Sequence, residues 1–298
     1  MTDPMKFRLT TVIVFSLLLA GPAFVEAKND REQAGLLGPV KTVLEVVGPA
    51  ERGGTGVLFR SATYPIDGME TGNESGIINR DSTHGTIEKS IAIFDPKKKT
   101  REFLSYTYVD ADGTDHPDGL LTGKQKETFD NHGNLTKREI YEINGAIKSS
   151  HEFRYDSQGS VIQSIDYRAD GSIDSAETHT ITYDKQAHPI MAITRNKDSN
   201  ITGKIIVKYD ASGHKAEQSV YETDGSLAQH FRYDEVGREV EQTIYDTTHS
   251  HAEKRTMQYE ESDSTGNWTK MTQTLWGYEN GSLNRQDVLL ITRTITYY

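Results

Sequence analysis

Five aspartates, Asp130, Asp156, Asp184, Asp210 and Asp234, each follow an aromatic residue: Phe129, Tyr155, Tyr183, Tyr209 and Tyr233. Carboxylates are natural general acids and bases. A residue that recurs at every turn, however, is what backbone bonding predicts and a single active site does not. The sets Phe129-Asp130-Gly133, Tyr155-Asp156-Gly159, Tyr209-Asp210-Gly213 and Tyr233-Asp234-Gly237 are therefore read as structural repeats. Three other groups could do chemistry. His249 and His251 share a strand face if extended and could hold a metal, although a polar loop is expected there. Asp110, Asp112, Asp115 and Asp118, beside Gly113 and Gly119, supply the oxygen ligands calcium prefers, but their spacing departs from the EF-hand loop and reads as a solvated turn. Trp268, Trp276 and Tyr278 could stack on sugar rings, or plug the last hairpin.

The motifs of common enzymes are absent. There is no Gly-x-Ser-x-Gly elbow, His151-Glu152 lacks a second histidine at zincin spacing, and Gly119 to Gly123-Lys124 lacks the phosphate-loop spacing and hydroxyl. With no cysteine, thiolate metal sites and cysteine nucleophiles are excluded. A net charge of −11 repels phosphate backbones, so no nucleic-acid partner is expected. No catalytic residue, cofactor or metal is assigned, and the chain is expected not to be an enzyme.

The elements that hold these residues repeat. Successive aromatics from Phe129 to Tyr233 stand 26, 28, 26 and 24 residues apart, and Phe129 to Tyr141, Tyr155 to Tyr167, Tyr209 to Tyr221 and Tyr233 to Tyr245 are each 12. Such a period marks stacked copies of one supersecondary unit. In Tyr155-Asp156-Ser157-Gln158-Gly159 the aspartate can accept from the backbone two residues on, and the glycine can take the positive φ of a bulged hairpin turn. The copy at Tyr183 has Ala187 where that glycine is expected. Runs such as Glu239-Val240-Glu241-Gln242-Thr243-Ile244-Tyr245 predict strands of roughly seven residues, and each strand-end tyrosine is expected to lie over the next turn. The fold class is all-β: an antiparallel meander of repeated β-hairpins, curled or partly closed, with no long helix in the mature chain. A signal segment (1–27), an N-terminal β cap (28–93), hairpin repeats (94–270) and a C-terminal capping hairpin (271–298) divide it.

Tyr233-Asp234-Glu235-Val236-Gly237-Arg238, with the Tyr155 and Tyr209 copies, resembles the YD repeats of the Rhs and teneurin-like proteins over roughly residues 94–270. The resemblance is to small exported bacterial members. It implies a secreted or cell-surface β-sheet, with no catalytic residue to carry over. The 298 residues do not include the long array or polymorphic C-terminal domain of the toxin-enclosing members, so enclosing a toxin is not part of what the resemblance implies.

Location follows from the N-terminus. Lys6 and Arg8 precede an apolar run from Leu9 to Ala20, and Val25-Glu26-Ala27 offers a cleavage point, so export to the periplasm or outside the cell is expected. No later segment is apolar and long enough to be a membrane helix. An outer-membrane barrel is disfavoured because neither face of Val288–Tyr298 is a clean apolar band and seven-residue strands are short. The expected role is an envelope or extracellular scaffold contacting a protein partner or, alternatively, envelope polysaccharide.

Overall fold

A computed structural model describes residues 34, 36–49, 56–64, 72–79, 87–109, 114–245, 252–279 and 282–298. Among them are eighteen strands and no helix: β1 (Val40–Pro49), β2 (Gly56–Thr63), β3 (Gly72–Asn79), β4 (Ile87–Asp95), β5 (Thr100–Val109), β6 (Asp115–Phe129), β7 (Leu135–Tyr141), β8 (Ile147–Tyr155) and β9 (Val161–Arg168). They continue as β10 (Ile173–Tyr183), β11 (Pro189–Asn196), β12 (Ile201–Tyr209), β13 (Lys215–Tyr221), β14 (Leu227–Tyr233), β15 (Glu239–Tyr245), β16 (Ala252–Ser262), β17 (Trp268–Glu279) and β18 (Ser282–Tyr297).

The turns show why the chain reverses where it does. At Asp130, Asp156, Asp184, Asp210, Asp234 and Asp263 the Oδ1 atom accepts the backbone N–H groups of the residues two and four further on, at 2.8–3.1 Å. Each aspartate thus satisfies two donors that the hairpin ladder leaves over. Gly133, Gly159, Gly213 and Gly237 sit at φ between +81° and +86°, a region closed to side chains at low cost. Ala187 and Ser199 occupy the same turn position at φ +66°. The aspartate or asparagine bonding, retained at Asp184 and Asn196, holds them there. Ala187→Gly is accordingly expected to raise stability by about 1 kcal/mol, read as an upward shift of the urea midpoint with an unchanged slope.

The strand-end tyrosines reach back, not forward. Tyr155 Oη donates to Leu135 O (2.6 Å), Tyr209 to Pro189 O (3.2 Å) and Tyr259 to Glu239 O (2.9 Å). The expectation that each would lie over the next turn is corrected by pairing: β8 ends beside the start of β7, so the nearest open carbonyl belongs to the preceding hairpin. Tyr183 reaches back too, to Asp156 Oδ2, so these four repeats are each pinned to the one before.

Each strand pairs antiparallel with the next from β1 to β18, and β18 pairs again with β1, from Val40↔Tyr297 to Pro49↔Leu289. The pairing therefore runs round in a ring, and every described strand has a partner on both sides. That is the pattern by which up-and-down barrels remove sheet edges. The junction copies a repeat turn cut open. Tyr298 N–H donates to Pro39 O as Asp156 N–H does to Ser160 O, Gly38 has φ +75°, and Val40 faces Tyr297 as Val161 faces Tyr155. Asn267 supplies what the broken chain lacks: its Oδ1 accepts Leu37 N–H (2.6 Å) and its Nδ2 donates to Leu37 O (2.9 Å). Leu36, Val40, Val43, Ala62 and Tyr64 form the core over this seam, and Val40 is fully buried. The segment read as an N-terminal β cap, 28–93, contributes β1 to β3 and most of β4 to this ring.

Directly paired residues point to the same side, so the registers define two faces. One carries the buried residues: Val43, Val47, Ala92, Arg101, Glu127, His179, Ala192, Ile205, Val207, Gln218, Phe231, Gln242, Met271 and Ile291. Its apolar clusters lie at β10–β13 (Ala192, Ile205, Val207) and around the seam (Val47, Met271, Ile291). The other face is rich in threonine, lysine and glutamate, as in Lys204 and Lys208 of β12 or Thr292, Thr294 and Thr296 of β18. Among the described side chains, neither face is an apolar band of the kind lipid requires. Strand length gives no such argument, because β6 has 15 residues and β18 has 16, against the seven expected.

Candidate functional site

The strand that carries the predicted stacking residues sets Trp268 apart from Trp276 and Tyr278. Trp268 begins β17 and Trp276 lies eight residues on, about 27 Å away at the ~3.4 Å rise of a strand. Trp268 packs in the seam cluster, its ring 5.7 Å from that of Tyr259 and capped by the Arg293 guanidinium at 3.5 Å. Trp276 donates its indole N–H to Thr256 Oγ1 (3.2 Å), and Tyr278 is exposed near the far end. Trp268→Ala is expected to cost about 2 kcal/mol, less than a fully buried tryptophan, whereas Trp276→Ala stays near or below 1 kcal/mol; thermal melts of both variants separate the roles.

Asp110, Asp112, His249 and His251 lie outside the described residues. Asp115 and Asp118 are exposed at the start of β6. Among the described residues no three histidines or carboxylates gather at metal-binding distance.

What the structure does assemble is a polar row that sequence reasoning missed. Arg101 (β5), Glu127 (β6), Arg138 (β7), His151 (β8), Asp166 (β9) and Ser175 (β10) are successive register partners on the buried face of six consecutive strands. Glu127 Oε2 accepts Arg101 Nε (3.0 Å) and Nη2 (2.7 Å), while its Oε1 accepts Arg138 Nε (3.1 Å) and Gln125 Nε2 (2.9 Å). Both members of the Arg101–Glu127 pair are buried, with side chains 9% and 3% exposed. Burying two charges is tolerable only with such saturation. Further along, His151 Nδ1 lies 2.5 Å from Asp166 Oδ1, and Ser175 Oγ donates to Asp166 Oδ2. A sequence signal existed only in hindsight of register: the partners are 9 to 26 residues apart and share no motif.

Two other groups, half-buried Glu239 and buried His179, have altered chemistry. Burial pushes Glu239 up to about 7, against the pull of Arg255 and then Lys215. Burial lowers His179, whose Nδ1 lies 3.0 Å from Thr194 Oγ1. Tyr155 and Tyr259 are pushed up to about 12, chiefly by burial, so both stay neutral hydrogen-bond donors.

The fold and the row define an all-β antiparallel meander protein with a charged register row on its buried face. No protein-family model matches the chain, and no curated protein matches it by sequence. Among solved structures it is similar to a porin-like protein from Bacteroides uniformis (10% identity, 87% of this chain and 99% of that one, TM-score 0.46). It is also similar to a TcdB2-TccC3-TEV structure (12% identity, 77% of this chain, TM-score 0.26), of which it spans 14%. A domain from Vibrio parahaemolyticus described as an outer membrane lipoprotein-sorting protein matches at 11% identity over 87% of this chain and 84% of that one, TM-score 0.22. At these values the functional reading rests on the chain's own residues.

Proposed function

We propose that this is an exported, non-catalytic repeat protein of the cell envelope or extracellular space, serving as a scaffold that presents its polar sheet face to a protein partner. The observation that carries this reading is how the repeated carboxylates are used: each turn aspartate is spent on two backbone N–H groups, and Glu127 on two arginines. Groups already saturated by structural bonds do not move protons for a substrate. The polar face, alternating lysine, glutamate and threonine along neighbouring strands, suits a broad, charge-complementary contact. The N-terminal signal pattern supplies the location. The test is a pull-down of tagged residues 28–298 from the source's envelope extract, with protein and polysaccharide fractions resolved and a heat-unfolded sample as control. A stoichiometric protein partner is the expected result. Retention of polysaccharide alone would replace the scaffold reading with glycan recognition.

A further inference from the structure

The polar row changes character along its length. At Arg101 and Glu127 it is buried and saturated, but the side chains of Arg138, His151 and Asp166 are 37%, 32% and 40% exposed. Arg138 commits Nε and Nη2 to Glu127, and its Nη1 has no partner among the described residues. His151 gives its Nδ1 to Asp166. A carboxylate only accepts, so a neutral imidazole here carries its proton on Nδ1 and presents a lone pair at Nε2. Ser175 holds the other carboxylate oxygen, which fixes Asp166 and through it the ring. Arg138 and His151 are direct register partners, and such side chains start about 5 Å apart. A strong donor and an acceptor therefore stand side by side, open to solvent, with Phe153 on the same face of β8 two residues on.

We propose that Arg138 and His151 form a binding site for a hydroxy acid of the uronic-acid class, such as a residue of an acidic polysaccharide. The ligand carboxylate accepts from Arg138 Nη1, a neighbouring hydroxyl donates to His151 Nε2, and the sugar ring lies toward Phe153. A phosphate dianion fits less well, since it brings acceptors alone to the Nε2 lone pair and meets the Asp166 charge. A neutral sugar leaves the arginine unanswered. Asp166 is a positioning residue: it sets which imidazole nitrogen holds the proton. The site goes beyond the scaffold reading, which the pull-down tests separately.

Calorimetric titration of residues 28–298 with methyl β-glucuronoside, methyl β-glucoside and acetate tests it. The glucuronoside is expected to bind at least tenfold more tightly than either other ligand. His151→Ala should remove that advantage at an unchanged melting temperature, as its ring is only partly buried. Asp166→Asn removes the carboxylate that holds the ring through Nδ1, so the preference for glucuronoside over acetate should fall several-fold while acetate binding is kept or strengthened. Equal binding of glucuronoside and glucoside overturns the proposal. So does undiminished affinity in His151→Ala, or a preference over acetate left undiminished by Asp166→Asn.

Discussion

Glu127→Ala is expected to destabilise the protein by about 3–5 kcal/mol, the range for stripping one partner from a buried ion pair. The carboxylate is 3% exposed and bonds two guanidinium groups, so its loss leaves Arg101 charged in a nearly closed site between the rings of Phe103 (4.6 Å) and Phe129 (5.4 Å). At the ~2–4 °C per kcal/mol usual for chains of this size, the melting temperature should fall by about 10 °C. The double variant Arg101→Met with Glu127→Leu should recover most of that loss, because apolar side chains of similar volume escape the desolvation cost and Arg138 can turn to solvent. A single-variant loss below about 1 kcal/mol would mean that the row is more hydrated than its burial implies.

Glu239→Gln is expected to stabilise the protein at pH 8 and to do little at pH 4. Its carboxyl ionises near 7 in the folded chain against an ordinary 4.5, so the folded state binds more protons between those values. With the folded value raised, stability is fully present below about pH 4.5 and declines as pH rises toward and through 7. The full shift corresponds to about 3 kcal/mol, which sets the ceiling on the gain from an uncharged isostere. Burial is the main cause, and Arg255 and Lys215 offset it only in part. Urea titrations at pH 4, 6 and 8 check this: the wild-type midpoint should fall with pH more steeply than that of the variant. Parallel midpoints would locate the pH sensitivity elsewhere.

The turns were the most legible part of the fold. Tyr155-Asp156 followed by Gly159 contains its own geometry, because aspartate, backbone N–H groups and a left-handed glycine interact within five residues. The antiparallel meander followed from those turns. The closing of the ring did not, since Leu37 and Asn267 are 230 residues apart and Asn267 looks like any other turn residue. The partner of each strand-end tyrosine was misread for a related reason: local order suggests the next turn, whereas pairing sets the preceding strand beside it. Of the aromatic trio, the extended strand sets Trp268 about 27 Å from Trp276, while Trp276 and Tyr278 stay two residues apart. The polar row was invisible, because its meaning resides in the register of six strands.

Ring closure is the claim on which the seam core and the absence of open edges among the described strands both depend. It is tested by placing cysteines at Thr42 and Thr296 in residues 28–298. These threonines face each other as register partners with hydroxyls 2.5 Å apart, and the chain has no other cysteine. Paired Cα atoms across an antiparallel ladder lie about 4.5–5.5 Å apart, within disulfide reach. Under mild oxidation the account predicts a quantitative intramolecular disulfide in a monomer, with a raised melting temperature that reduction reverses. Free thiols under those conditions, or cross-links only between copies, would contradict it.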